Sequence, residues 1–120
     1  MNTDRELLEF AAKAAGIAVM RSRLDDKIHK DMLVRQSSRN PYHENGPWNP
    51  LTDDGDALRL AVKLGLVVCV LRSINLTGVY LPAEHIGGKY DITEHHNGDH
   101  YAATRRAIVR AAAEIGKGMK

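Results

Sequence analysis

The sequence predicts an α+β domain, with three helices packed on a small antiparallel or mixed β-sheet. Three observations lead there. Three segments of helical period each begin at a capping residue and stop at a glycine. Short β-branched or alternating runs lie between them. The order reads helix, hairpin, helix, several strands, helix. A chain of 120 residues, 43% hydrophobic and 27% charged, fits one domain over residues 1–120. That length buries about two-thirds of the surface the unfolded chain exposes. The chain shows no internal repeat, linker or second domain.

The first helix is predicted over residues 4–15. Thr3 and Glu6 have the spacing of a capping box, in which each side chain satisfies the backbone N–H of the other. Leu7, Leu8, Ala11 and Ala15 form one apolar face, with Arg5, Glu9 and Lys13 largely opposite, and Gly16 is a natural stop. The second helix starts at Thr52 or Asp53, with Asp53, Asp54 and Asp56 where the helix dipole favours negative charge. Ala57, Leu58, Ala61, Val62 and Leu64 are its expected buried face, Asp56, Arg59 and Lys63 its polar line, and Gly65 its end. The third helix is predicted over residues 100–115, capped by Asp99 after the Asn97-Gly98 turn. Thr104, Ile108, Ala111 and Ile115 face inward and Gly116 closes it.

Residues 66–71, apolar on both faces and rich in valine, read as a central buried strand. Residues 17–23, 30–35, 77–81 and 89–93 are further strand candidates. Gly78, Pro82 and Gly87-Gly88 mark the later ones as edge or hairpin pieces.

Composition excludes several classes of function. Seventeen basic residues against fifteen acidic ones give a formal +2, unlike a histone-like chain or an acidic solvating one. The lone Cys69 excludes an internal disulfide framework and a cysteine zinc site, and in an apolar run it suits a reducing compartment. The longest mostly apolar window, residues 64–71, is far shorter than the roughly 20 residues that span a bilayer. The polar start of the chain does not resemble a signal peptide. A cytosolic protein with no membrane partner is therefore expected.

Charge is uneven along the chain. Residues 21–39 carry a net +3, residues 100–120 a net +4 and residues 40–65 a net −2. If the two basic segments meet, they form a site for a compact anion. No long basic stripe suits duplex nucleic acid. The loop from Arg35 to Pro50 is long and concentrates Arg35, Arg39, Tyr42, His43 and the only tryptophan, Trp48. Aromatic faces stack on bases and Arg forks match phosphate oxygens. Alternatively, Trp48 anchors the loop to the core ahead of the second helix. His95, His96 and His100, beside Asp91, Glu94 and Asp99, are either a metal cluster or a polar hairpin tip leading into a helix cap. The acidic run 52–56 lacks the ligand spacing of a calcium loop. No cofactor motif and no catalytic motif is present.

Three segments carry a resemblance: RELLEFAAKAAG at 5–16, WNPLTDDGDALRLAVKL at 48–64 and RRAIVRAAAEIG at 105–116. Together they resemble the phage α-β-α sandwich family of small bacteriophage and prophage accessory proteins. The resemblance implies a non-catalytic viral protein of the host cytoplasm that acts by binding. The leading expectation is a counter-defence protein that sequesters a host immune nucleotide of the cyclic or ADP-ribose type. Arg21, Arg23, Arg35, Arg39, Arg105 and Arg106 would pair phosphates, Tyr42 and Trp48 would stack on bases, and His43 belongs to the same ligand-binding set. A homo-oligomer with its site at an interface is expected with it. The alternative is a protein–protein inhibitor of a host defence effector such as a CRISPR complex, with Trp48 and Tyr42 as anchors.

Overall fold

The computed structural model describes residues 3–17, 48–82 and 90–119, and the backbone of residues 19–21 and 33–35. In chain order its elements are α1 (Asp4–Ala15), β1 (Val19–Arg21), β2 (Leu33–Arg35), α2 (Asp54–Leu64), β3 (Val67–Leu71), β4 (Leu76–Tyr80), β5 (Ile92–His95) and α3 (His100–Lys117). β1 and β2 form an antiparallel ribbon, and β3, β4 and β5 form an antiparallel sheet in that spatial order. The protein is a small α+β domain. Among the described residues no helix is long and apolar enough to cross a membrane.

Local chemistry sets the helix boundaries. The Thr3 hydroxyl accepts from the Glu6 N–H at 3.2 Å, and the Glu6 carboxylate accepts from the Thr3 N–H at 3.4 Å. Asp53 rather than Thr52 caps α2, accepting from the Asp56 N–H at 2.9 Å, and Asp99 caps α3 at 2.9 Å from the Ala102 N–H. α1 and α2 both end on a glycine in the left-handed region, Gly16 and Gly65.

α3 lies between α1 on one side and the sheet on the other, with α2 alongside. Val109, Ala112 and Ala113 join the core made with Leu7, Leu8, Ala11, Trp48 and Leu60, while Ala107 and Ala111 pack on Val79 and Ile92 of the sheet. Being covered on several sides, α3 buries more than the single predicted face of Thr104, Ile108, Ala111 and Ile115. It also continues past Gly116 to Lys117. Gly116 is where α1 crosses: a Cβ there would overlap the Phe10 carbonyl.

Two other expectations change. Among the described residues β3 is an edge strand, and β4 is the central one. Gly78 does not weaken β4 as an edge, because the Tyr90 ring lies over it where a side chain would stand. On α2 the buried residues are Asp56, Ala57, Leu60 and Ala61. Leu58 is 64% exposed and Val62 72% exposed, although both were expected inside. Apolar residues cover about 200° of α2, whereas one packed face takes about 100°. Asp56 decides which part goes inward. Its carboxylate accepts from the Asn49 N–H at 3.0 Å and pairs with Arg59 at 2.8 Å, tying α2 to the turn that follows Trp48.

Candidate functional site

An open groove of about 380 Å³ runs between α2, β3 and the first turns of α3. Cross-strand pairing places Val68 opposite Val79 and Val70 opposite Thr77, so both valines share the sheet face that carries α3. They form one wall. Ala57, Leu58 and Ala61 of α2 form the second, and Tyr101, Thr104 and Ile108 of α3 the third. Polar groups gather at one end, where Asp54, His100 and Arg105 lie. The His100 and Tyr101 rings are adjacent, with centroids 4.6 Å apart, and Tyr101 is 63% exposed.

A buried hydrogen-bond chain holds this end in place. The Thr104 hydroxyl donates to the His100 carbonyl at 2.7 Å, which uses its only proton. Thr104 must therefore accept from Thr77, 2.8 Å away. Thr77, its proton spent, must in turn accept from His96 Nε2 at 2.9 Å. The direction of the chain thus fixes His96 with its proton on Nε2. It joins the central strand to the first turn of α3, where His100 and Tyr101 project.

Arg105 is the one sequence-predicted site residue among the described side chains that lines the groove. Its Nε donates to the Leu51 carbonyl at 2.8 Å and its Nη1 to Asp54 at 2.6 Å, so it also holds the turn before α2 against α3. Arg106, one residue on and about 100° around the helix, points elsewhere and pairs with Asp4 at 3.0 Å. Arg110 pairs with Glu94, and Lys117 with Glu114. The basic run of α3 is therefore neutralised by carboxylates from α1, α2, β5 and α3 itself, instead of converging as a cationic pocket.

Trp48 is only 2% exposed and belongs to the helical core, leaving no ring face for a base to stack on. The anchoring alternative is the one realised. Arg21 stands opposite Leu33 and Arg35 opposite Val19, at the two ends of the β1–β2 ladder. Arg23, Arg39, Tyr42 and His43 lie outside the described residues.

His95, His96 and His100 do not form a common site. His96 is buried and bound to Thr77, while His95, its neighbour along the chain, is exposed at the end of β5. Among the described residues no three His, Cys, Asp or Glu side chains are placed to hold a metal ion.

On the opposite face of the sheet, Cys69 pairs across from Gly78, beneath Tyr90. A hydrogen bond from the Tyr90 hydroxyl to the Cys69 side chain is the largest cause of a raised Tyr90 pKa; burial and the nearby Cys69 and Tyr80 add to it. Raised in the folded state, this pKa contributes stability that is fully present below the unfolded value of about 10 and is lost as pH climbs through the folded one. In an ultraviolet pH titration one tyrosine is expected to ionise later than the others. Cys69→Ala is expected to move that step back toward the rest, and an unchanged titration would contradict the assignment.

Leu58, Val70, Thr104 and Tyr101 were not foreseen as site residues, and His100 was foreseen only as a metal-ligand candidate. The surplus apolar arc of α2 was the one signal, and it pointed to Leu58 alone. The groove's chemistry is that of binding: apolar walls with a polar, aromatic end. No family model, no curated protein and no solved structure matches this chain.

Proposed function

We propose that the protein acts by binding, as a phage counter-defence protein that sequesters a host immune nucleotide. The observation that carries this reading is the groove itself, with Arg105 and the His100–Tyr101 pair at one end of otherwise apolar walls. Its volume of about 380 Å³ lies within the range of small-ligand sites, and its walls suit a planar base. Tyr101 offers an exposed ring for stacking. Phosphates would lie at the polar end, competing with Asp54 for the Arg105 guanidinium. Asp54 is 70% exposed and can turn into water, leaving the guanidinium of Arg105, 18% exposed and still held by the Leu51 carbonyl, to a phosphate.

Calorimetry against cyclic mononucleotides, cyclic dinucleotides and ADP-ribose derivatives tests it. One class is expected to bind, and Tyr101→Ala, a change at an exposed position, is expected to weaken binding by about 1–3 kcal/mol. Absence of heat with every member would end the nucleotide reading.

The apolar walls favour a second reading, a protein–protein inhibitor of a host defence effector, in which Leu58 and Val70 receive a partner's side chain. Affinity capture separates the two. A stable protein partner released by Leu58→Glu supports the inhibitor, and a small molecule in the denatured supernatant supports the sequestering protein.

A further inference from the structure

Among the described residues β3 is an edge strand with none of the usual protection against pairing. Among the described residues it pairs only with β4, and its sequence, VVCVL, contains no charge and no proline. Beside it α2 carries two outward apolar residues, Leu58 and Val62, four positions apart and so on one line of the helix. Val70 of β3, 46% exposed, adds to the same apolar surface. Isolated domains rarely leave a contiguous patch of this kind next to an open strand edge.

We infer that a second copy of this chain docks here, β3 against β3 in antiparallel sense, joining the two sheets into one of six strands. The charges on α2 select a second copy. Its start carries the exposed carboxylates of Asp53 and Asp54, and its last turn carries Lys63. A twofold axis through β3 makes the two α2 helices antiparallel, which brings Lys63 of each copy toward the acidic start of the other and opposes the helix dipoles. Leu58 of each copy then faces Val62 of the other across the axis. Registers that pair residues of equal parity keep both helical layers on the same face of the joined sheet, so the required pairing is self-consistent. The second copy also closes the β3 side of the groove. The interface stands whether or not the groove takes a nucleotide.

Mass measurement by light scattering at micromolar concentration is expected to give a dimer. Val62→Glu, at a position too exposed to disturb the fold, is expected to raise the dimer dissociation constant about tenfold or more, because it sets a carboxylate against Leu58 of the other copy and toward that copy's acidic helix start. Its circular dichroism should match the parent's. The native Cys69 supplies a positional check, since pairing centred on β3 puts the two thiols within reach of a short bis-maleimide. A covalent dimer should form in the parent and diminish in Val62→Glu. A monomeric parent would overturn the inference. So would a dimer that ignores Val62→Glu and resists cross-linking through Cys69. Calorimetry on Val62→Glu keeps the two proposals distinguishable, because loss of the dimer with nucleotide binding retained leaves the ligand reading intact.

Discussion

Gly116→Ala is expected to be among the most damaging single substitutions in this protein, despite adding one methyl group. The added Cβ would overlap the Phe10 carbonyl oxygen, and its carbonyl carbon would be nearly as close. These are backbone atoms in the middle of α1, so no side-chain rotation relieves the clash. The helices must separate, and the small residues around the crossing, Ala11, Ala12, Ala112 and Ala113, have no length to fill the gap. Overpacking usually costs about 1–3 kcal/mol, and a clash with rigid backbone belongs at or above the top of that range. Against a total stability of about 5–15 kcal/mol that is a large fraction. Thermal denaturation should show a fall of about 10 °C or more. Gly118→Ala is the control: a Cβ there meets the Ile115 carbonyl oxygen at 3.5 Å, an ordinary contact, and the backbone is right-handed. Its midpoint should stay close to the parent's. Equal effects at the two glycines would show that the crossing is looser than described.

Trp48→Ala is expected to cost about 3–5 kcal/mol, the usual toll for removing a large buried aromatic ring. Trp48 lies in the core with Leu7, Leu8, Leu60 and Ala61, so its loss leaves a cavity between α1 and α2. It also loosens the clamp in which Asn49 donates to Asp56, and with it the rotation of α2 that turns Leu58 toward the groove. Urea unfolding is the measurement, with Trp48→Phe expected to recover part of the loss. The parent's single tryptophan should fluoresce as a buried indole and shift red through the same transition. A near-neutral Trp48→Ala would return this residue to the loop surface and reopen its role in stacking.

Helices were legible wherever their signals were local. The Thr3–Glu6 capping box and Gly16 delimit α1, and the aspartates and Gly65 delimit α2 to within a residue. Reading failed where a distant residue decides the outcome. The apolar run of β3 reads as a central buried strand, yet among the described residues it has a partner strand on one side only. Gly78 marks a weak strand until Tyr90, which local patterning cannot bring to it, is laid over it. Gly116 marks a helix end until α1 crosses there. The candidate site divides in the same way. Arg105 was legible as a cation but its Asp54 partner was not, and the groove draws its walls from three elements separated in sequence. Trp48 was conspicuous for its rarity, which does not distinguish an anchor from a binding platform.

The central position of α3 has a consequence for how the chain acquires its structure. Last of the described elements to be synthesised, α3 supplies the surface on which α1, β4 and β5 each bury their apolar residues. Until it emerges, α1 has only Trp48 and α2 to cover part of its apolar face, and the β-sheet has one bare apolar face. Native contacts between α1 and α3 close a loop of most of the chain, an entropic cost that slows the search. Folding is therefore expected to wait until α3 has emerged. During synthesis the exposed leucines of α1 and the unprotected edge of β3 are the segments most in need of shielding from other nascent chains.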